Sequence, residues 1–542
     1  MPVIDLKLRD LVSLSGLDKD SEWFQSAIPM MGASFEGSEA GILRFEFFPN
    51  RPDHYSVEGV ARSLKHLYGL SRPKVFAVNE GKVRMTVDDS VKNLRPVMLC
   101  GVVRNIVMDD GALKSLIDLQ EKLHLTVGRR RKKVSIGIHD LDRVTPPFLF
   151  RAYGGKEISF EPLGMTDVMT PDEIVRGHEK GIEYGPLLGG GPYPCITDAR
   201  GKVLSMPPII NGTVSALTEK TRNVLFDVNG VDTAVCSRVL NILCSALSER
   251  GGIIESAVVE SGGSTERYPD MAFDHMTVPS SLVNSVTGLK FSQDRLADLL
   301  ERMGYTVQNE KSAIVAGIPP YRMDIMHPVD IAEDAAIAYG YENFGNTQSK
   351  RQTNGTMLPA TIFSNLIFEL MAGYGYMQTV SFMLSSVRMQ FGMMRLSEKD
   401  AVRLINPVTE DTEILRLSLL PGLLKLFEAN KHNELPQRIY EIGDVHTPSR
   451  RKHLAALSIH PKATFSESKS LVDALLRDLK FGGEFIASTD ERFIAGRQAE
   501  IHSGNKAIGI FGELHPEVIT NFNLFNPVVG FELDVTELIK LR

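Results

Sequence analysis

The sequence predicts a multidomain α+β protein, and three observations carry the prediction. Its 542 residues, 43% of them hydrophobic, amount to several times the roughly 150 residues of a typical domain, enough to bury more than one core. Apolar residues at helical spacing alternate with short strand-like runs along the whole chain, so neither element type is confined to one region. Two composition shifts read as linkers, ESGGSTERYPD at 260–270 and GNTQSKRQTNGT at 345–356, and VNEGKV at 78–83 marks a softer break. The expected units are residues 1–85, 86–265, 268–346 and 350–542.

In the first unit, RFEFFPNRPDHYSVEGVARSLKHLYG reads as a strand, a Pro-Asn-Arg-Pro turn and a helix with Asp53 near its N-cap. Val57, Val60, Ala61, Leu64 and Leu67 recur at helical spacing, and Gly69 supplies the stop. In the second, the Pro-rich turn VLSMPPIING (203–212) precedes TRNVLFDVNGVDTAV (221–235), and the pair sets Asn211, Asp227, Asn229, Asp232 and Thr233 around apolar strands. Polar groups on turns between buried strands line small-molecule pockets; they are also the ordinary material of turns. In the third, Ser292 caps a helix burying Leu296, Leu299, Leu300 and Met303, Gly304 ends it, and AIVAGIPPY reads as a strand. The fourth mixes helices such as LLPGLLKLFEANKH with the strand-like RIYEIGDV, AIGIFGEL and PVVGFELDV.

Composition narrows the function classes. Sixty basic residues against 67 acidic ones give a net charge of -7, which excludes a general polyanion binder and leaves nucleic-acid contact to local basic patches or to another subunit. The run Arg129 to Lys133 (GRRRKKV) is one such patch, although a solvated face is the plainer account of it. Cys100, Cys195, Cys236 and Cys244 form no C-x-x-C pair, and the 13 histidines include no H-E-x-x-H. GGGP (189–192) lacks the Lys and Ser/Thr of a phosphate loop, and GYGYMQ (373–378) lacks the third glycine of a dinucleotide fingerprint, so both read as turns. No run reaches the ~18 apolar residues of a membrane span, and the charged start MPVIDLKLRD is unlike a signal peptide; both point to a soluble cytoplasmic protein without membrane contact.

The stretch YRMDIMHPVDIAEDAAIAYG (321–340) places four carboxylates, Asp324, Asp330, Glu333 and Asp334, close together with Arg322 as their one basic neighbour. Pro328 suits the first helical position, which predicts a helix over Val329 to Tyr339 with Ile331, Ala335 and Ala338 on its buried side. Asp330, Glu333 and Asp334 then stand at i, i+3 and i+4 on one face. Oxygen donors without sulfur or imidazole suit a hard cation such as Mg²⁺. Acids in a first turn also complement the helix macrodipole, by about 0.3 to 1 kcal/mol each and without any metal. Spacing alone leaves both readings open.

Taken in series, these segments resemble one family, the β subunits of archaeal and eukaryotic phenylalanyl-tRNA synthetase. The resemblance rests on FFPNRPDHYSVEGVARSL (47–64), KKVSIGIHDLDRVTPPF (132–148), VLSMPPIIN (203–211), TRNVLFDVNGVD (221–232), YRMDIMHPVDIAEDAAIAYGYENF (321–344), NPVTEDTEILRLSLLPGLL (406–424), ELPQRIYEIGDV (434–445) and GELHPEV (512–518), in that order over nearly the whole chain. It implies an α2β2 tetramer that uses ATP and Mg²⁺ to join phenylalanine to tRNA(Phe), with the aminoacylation site in α and no residue of this chain catalytic for that step. It also implies a class II aminoacyl-tRNA synthetase-like antiparallel-sheet module at the C-terminus (350–542), preceded by an N-terminal α+β domain (1–85), an editing domain (86–265) and a small helical magnesium-associated domain (268–346) contacting α. That module is expected to be silent, because RIYEIGDVH stands where Phe-Arg-x-Glu would clamp ATP and no Gly-x-Gly-x-x-x-Arg follows, leaving the reacting phosphates without an arginine.

An editing step has a physical reason. A pocket shaped for phenylalanine rejects an added hydroxyl by only about two orders of magnitude, so mischarged Tyr-tRNA(Phe) needs hydrolysis at a second site. The resemblance places that pocket at Leu204, Ser205, Asn211, Asp227, Asp232 and Thr233. It shows no nucleophile and base pair, so hydrolysis is expected to rely on positioned water and the tRNA's own hydroxyl. The same resemblance assigns Mg²⁺ to Asp324, Asp330, Glu333 and Asp334. A freestanding tRNA-deacylating hydrolase and a purely structural adaptor are the competing function classes.

Overall fold

Alternating apolar and polar residues in VIDLK and ILRFEF build the first sheet, in which Ile42–Phe47 pairs antiparallel with Val3–Lys7 on one side and Ala33–Glu39 on the other. A computed structural model describes residues 2–348 and 353–542, and the chain divides into two compact units, Met1–Thr347 and Gln348–Arg542. Part of the expected linker GNTQSKRQTNGT, residues 349–352, lies outside the described residues. The helix expected after the first strands runs Val57–Leu67, but its N-cap is Ser56, whose hydroxyl accepts from the Gly59 amide at 3.2 Å. Asp53 is unavailable because it sits in the short turn Pro52–His54 and binds Arg51 bidentately, at 2.8 Å for each bond. Gly59 is required at this crossing: a Cβ there would fall 1.7 Å from the Asp53 carbonyl oxygen.

The large sheet of this unit carries the first candidate site. Its strands run in the order Ile210–Asn211, Val203–Met206, Tyr193–Thr197, Phe148–Tyr153, Val78–Val87, Ile253–Ser261, Val97–Arg104, Val224–Gly230 and Val134–Asp140. Helices Asp110–Leu125 and Thr233–Ser248 pack their apolar stripes, including Leu116, Leu119, Val239 and Leu243, against Ile136, Ile138, Phe226 and Val228. Two expected breaks belong to this sheet instead. VNEGKV opens the strand Val78–Val87, parallel to Ile253–Ser261, and in ESGGSTERYPD, Gly262 and Gly263, both at positive φ, turn the chain into the strand Ser264–Tyr268. In the second case composition misleads because the outlying strand Ser264–Tyr268 faces water and is free to be polar.

The expected magnesium-associated segment is not purely helical. Asp274–Pro279, Ala313–Ile318 and Thr306–Asn309 form a three-stranded antiparallel sheet, covered by Ser280–Thr287, Gln293–Arg302 and Pro328–Tyr339. Ser292 caps the second of these helices, accepting from the Arg295 amide at 3.2 Å, and Leu296, Leu299 and Leu300 are buried as expected. In the unit Gln348–Arg542, a seven-stranded sheet runs Met377–Gln378, Gln437–His446, Arg450–Ile459, Val528–Asp534, Lys506–Leu514, Phe493–Ser503 and Glu484–Ala487. It is antiparallel except for the first pair. Pro359–Gly373 and Phe465–Asp478 pack on one face, Leu420–Ala429 on the other. Among the described residues no helix is long and apolar enough to cross a membrane.

Candidate functional site

The strand VSIGIHD (Val134–Asp140) alternates apolar Val134, Ile136 and Ile138 with Ser135, Gly137 and His139, and period-2 geometry sends the second set to the face opposite the two helices. Its neighbour VLFDVNG pairs Asp227 with Gly137 and Asn229 with Ser135, so a second polar row lies beside the first. These rows, the end of helix Asp110–Leu125 and the turn at Pro207 and Pro208 enclose a cavity of about 560 Å³.

Of the six residues expected to line such a pocket, the structure brings together Ser205, Asn211 and Asp227. Leu204 precedes Ser205 on the same strand and therefore points the other way, fully buried in an apolar cluster with Phe148 and Leu225. Asp232 caps the helix Thr233–Ser248, accepting from the Val235 amide at 3.1 Å, and pairs with Lys133 at 3.1 Å. Thr233 is exposed in the first turn of that helix, and neither residue lines the cavity.

Asp227, 1% exposed, is the best-held group of the site. One carboxylate oxygen meets His139 Nε2 at 2.8 Å and the other accepts from Asn229 Nδ2 at 2.9 Å; Asn229 Oδ1 in turn accepts from Arg95 Nε at 3.0 Å. A carboxylate and imidazole pair thus stands where none was expected. Gly137 makes room for it, since a Cβ would fall 1.8 Å from Asp227 Oδ2. The Ser205 hydroxyl is buried and has no hydrogen-bond partner, a state costing roughly 1–3 kcal/mol unless a ligand relieves it.

Across the cavity stand Glu121 and His124, which sequence reasoning missed, and Arg131, which it took as part of a basic run. His124 Nε2 accepts from the Ile136 amide at 2.8 Å, which puts the ring proton on Nδ1, 3.1 Å from Glu121. Burial holds His124 below its ordinary pKa. Burial pushes Glu121 the other way, yet the His124 hydrogen bond and the charges of His124 and Arg131 bring it down to about 2. Arg131 is not part of a solvated face. Arg129, Arg130 and Arg131 are all in the left-handed region, with φ of 48°, 52° and 63°, and this unfavourable turn directs Arg131 inward. There it donates to the Ile209 carbonyl at 2.8 Å and Glu121 at 3.0 Å, with its guanidinium 4.4 Å from the Tyr184 ring centre.

Because the Glu121 pKa falls on folding from 4.5 to about 2, the unfolded chain takes up a proton between those values that the folded chain refuses. Its contribution to stability is present above pH 4.5 and is lost as pH falls toward 2. Thermal unfolding followed from pH 6 to pH 3 is expected to fall less steeply in Glu121→Gln than in the parent; equal slopes would remove Glu121 as a source.

The four carboxylates of the stretch 321–340 line a second cavity, of about 470 Å³, with Arg51, Met303 and Tyr341. The helix is Pro328–Tyr339, with Ile331, Ala335 and Ala338 buried as expected. His327 is its N-cap, and Asp330 completes a capping box through the His327 amide at 2.7 Å. The single expected acidic face is divided. Glu333 is exposed, whereas Asp334 turns to the core, where its Oδ2 accepts from Arg322 at 2.8 Å and from Tyr305 at 2.5 Å. Both Asp324 oxygens accept from Arg322, at 2.8 Å each. Burial and the charges of Asp334, Asp330 and Asp324 raise the Glu333 pKa, a sign of negative charge that Arg322 leaves unbalanced. The donor chemistry fits a hard cation, although among the described residues no three acidic, histidine or cysteine groups are arranged to surround one.

Three family models match the chain: the tRNA synthetase B5 domain over residues 276–341, the B3/4 domain over 105–251 and the phenylalanyl tRNA synthetase beta chain CLM domain over 346–535. The chain is 41% identical over 544 residues to the phenylalanine-tRNA ligase beta subunit of Methanococcoides burtonii, covering 99% of this chain and 100% of that protein. It is 41% identical over 542 residues to the same subunit of Archaeoglobus fulgidus, covering 99% and 98%. A crystal structure of an N-terminal fragment of the phenylalanyl-tRNA synthetase beta subunit from Pyrococcus horikoshii superposes with a TM-score of 0.61 at 36% identity, covering 63% of this chain and 100% of the fragment.

Proposed function

The chain belongs to the phenylalanine-tRNA ligase beta-subunit family and is a ligase subunit in the charging of tRNA with phenylalanine, alongside an alpha subunit; from that premise we propose that it also hydrolyses mischarged Tyr-tRNA(Phe) in the cavity around Asp227. The observation that carries this reading is the unpartnered Ser205 hydroxyl in a cavity that Asp227 also lines. A tyrosyl phenol entering there donates to Asp227 and accepts from Ser205. A phenylalanyl group leaves the Ser205 hydroxyl without a partner and adds no donor to the Asp227 carboxylate beyond His139 and Asn229, and this is the kind of asymmetry by which a polar site rejects an analogue lacking the hydroxyl. His139 and Asn229 fix the Asp227 oxygens, so the carboxylate needs little reorganisation on binding. Water then attacks the ester carbonyl carbon and its oxygen becomes part of the tyrosine carboxyl group. The bond from that carbon to the terminal ribose oxygen breaks, and the ribose oxygen takes up the proton the water gives up, leaving tyrosine and free tRNA; the neighbouring ribose hydroxyl helps position the water.

In the assembled enzyme, Asp227→Ala is expected to slow Tyr-tRNA(Phe) deacylation by about a hundredfold while leaving phenylalanine-dependent pyrophosphate exchange unchanged. Unaltered deacylation would remove this cavity from the reaction.

The remaining assignments follow the same premise: an N-terminal domain that ends before the strand Val78–Val87, an editing domain from that strand through Ser264–Tyr268, a magnesium-associated domain from there to 346, and a silent class II synthetase-like module at 350–542, in an α2β2 assembly for which ATP is a substrate. Silence is supported by the surroundings of RIYEIGDV. Arg416, the buried cation bonded there, is committed to Glu441 at 2.6 Å and the Asp444 carbonyl at 2.8 Å, while Arg450 and Lys452 pair with the Asp444 carboxylate at 2.6 and 3.3 Å. A subunit rather than a freestanding hydrolase is supported by exposed Phe382, Ile405, Val408 and Phe525, each at least 86% accessible, which suit burial against a partner. Mg²⁺ would be held through Glu333 and the uncommitted oxygens of Asp330 and Asp334, with Asp324 joining if Arg322 releases it, and would supply the charge that joins this helix to the alpha subunit.

A further inference from the structure

A third cavity, of about 430 Å³, opens beside the helix Val57–Leu67 and takes no part in either site described above. Its lining carries four permanent cations, Arg62, Lys65, Arg72 and Lys74, against one carboxylate, Glu249, and its walls include Phe76 and Tyr321. Lys65 is bound to Glu249 at 2.5 Å and Arg72 pairs with Glu301 at 3.2 Å. Lys74 is exposed and has no carboxylate partner among the described residues.

Arg62 is the unusual group. Its side chain is 3% exposed, its guanidinium lies 3.8 Å from the Tyr321 ring centre, and its Nε and Nη1 have no hydrogen-bond partner. The nearest carboxylates stand at 3.6 Å (Asp53) and 4.0 Å (Glu249), beyond hydrogen-bonding reach. A buried cation with unsatisfied donors is costly, and a guanidinium fork matches the oxygens of a phosphate group. His66 also lines the cavity and is brought down to about 4 by burial and by Arg62, so near neutral pH it offers a hydrogen bond and no charge.

We propose that this cavity binds a phosphate group carried on a flat, partly apolar body of mononucleotide size, with Arg62, backed by the buried Tyr321 ring, receiving the phosphate oxygens, Lys74 drawing the anion in and the half-buried Phe76 covering the body. A volume of this order accommodates one small ligand. The phosphate belongs either to a free mononucleotide or to the terminal nucleotide of an RNA, and the probes separate the two.

Equilibrium binding to the full chain in complex with its alpha subunit, at low ionic strength, would use inorganic phosphate, UMP against uridine, and a short RNA with a 5′-phosphate against its 5′-hydroxyl form. The phosphate-bearing member of a pair is expected to bind at least tenfold tighter. Lys74→Glu, an exposed change, is expected to weaken that binding tenfold or more with aminoacylation unaltered. Arg62→Lys, which keeps the charge and loses the fork, is expected to do the same. Preference for UMP assigns a free nucleotide, and preference for the 5′-phosphorylated RNA alone assigns an RNA end. Absence of saturable binding by every probe, or binding indifferent to Lys74→Glu, would overturn the proposal whether or not the Arg62 variant folds.

Discussion

Arg322→Met is expected to destabilise the Met1–Thr347 unit by about 3–5 kcal/mol, the usual cost of removing one partner from a buried charge cluster. The Arg322 side chain is 1% exposed and bridges Asp324 and Asp334, themselves 11% and 7% exposed, with bonds of 2.8 Å. Burial opposes its charge, yet Asp334, Tyr305 and Asp324 hold its pKa well above the ordinary arginine value. Without it, two carboxylates remain beside Asp330 and Glu333 with no cation between them. The deficit should shrink in mildly acidic buffer, where raised carboxyl groups take up protons. Arg322→Lys should recover part of the loss, because an ammonium supplies charge without the planar fork. Denaturant unfolding measures all three effects, and an Arg322→Met loss under 1 kcal/mol would show that the cluster is balanced by other means. Glu333→Gln is the companion variant: its exposed carboxylate makes little difference to folding but should lower the magnesium content of the assembled enzyme.

Gly137→Ala should cost about 1–3 kcal/mol through overpacking alone and abolish Tyr-tRNA(Phe) hydrolysis more completely than its loss of stability explains. The new methyl would occupy the space of Asp227 Oδ2 and approach His139 Nε2 to 2.7 Å, so the carboxylate must leave the one position in which His139 and Asn229 both bind it. Deacylation and unfolding measured on the same preparation separate the two effects. A folded Gly137→Ala enzyme with parental deacylation would mean that the geometry of Asp227 is not needed for the reaction.

Sequence patterns were informative wherever the physics is local. Ser292, Gly304, Pro328 and the apolar spacing of Leu296, Leu299 and Leu300 act within one or two turns of backbone, and the structure places them as read. The Ser135, Gly137 and His139 row, a polar set within an apolar strand, carries the period-2 signal that would have found it. Sequence places Asp53 near the N-cap of Val57–Leu67 but does not single out Ser56; both residue types suit a cap, and Arg51 claims the aspartate. The polar strand Ser264–Tyr268 was read as a linker because its outlying position, not its composition, makes it a strand.

The sequence by itself determined the family, the α+β character, most caps and stops, and which short segments hold the polar residues of each site. Only the tertiary structure decided which of those residues meet. Strand alternation separates Ser205 from its neighbour Leu204, pairing across 88 positions sets His139 against Asp227, and the turn into Arg322 converts an acidic helix face into a shared buried ion cluster. Caps and periodicity are fixed by dihedral angles within a few residues, whereas register and the pairing of distant charges depend on the packing of the whole unit.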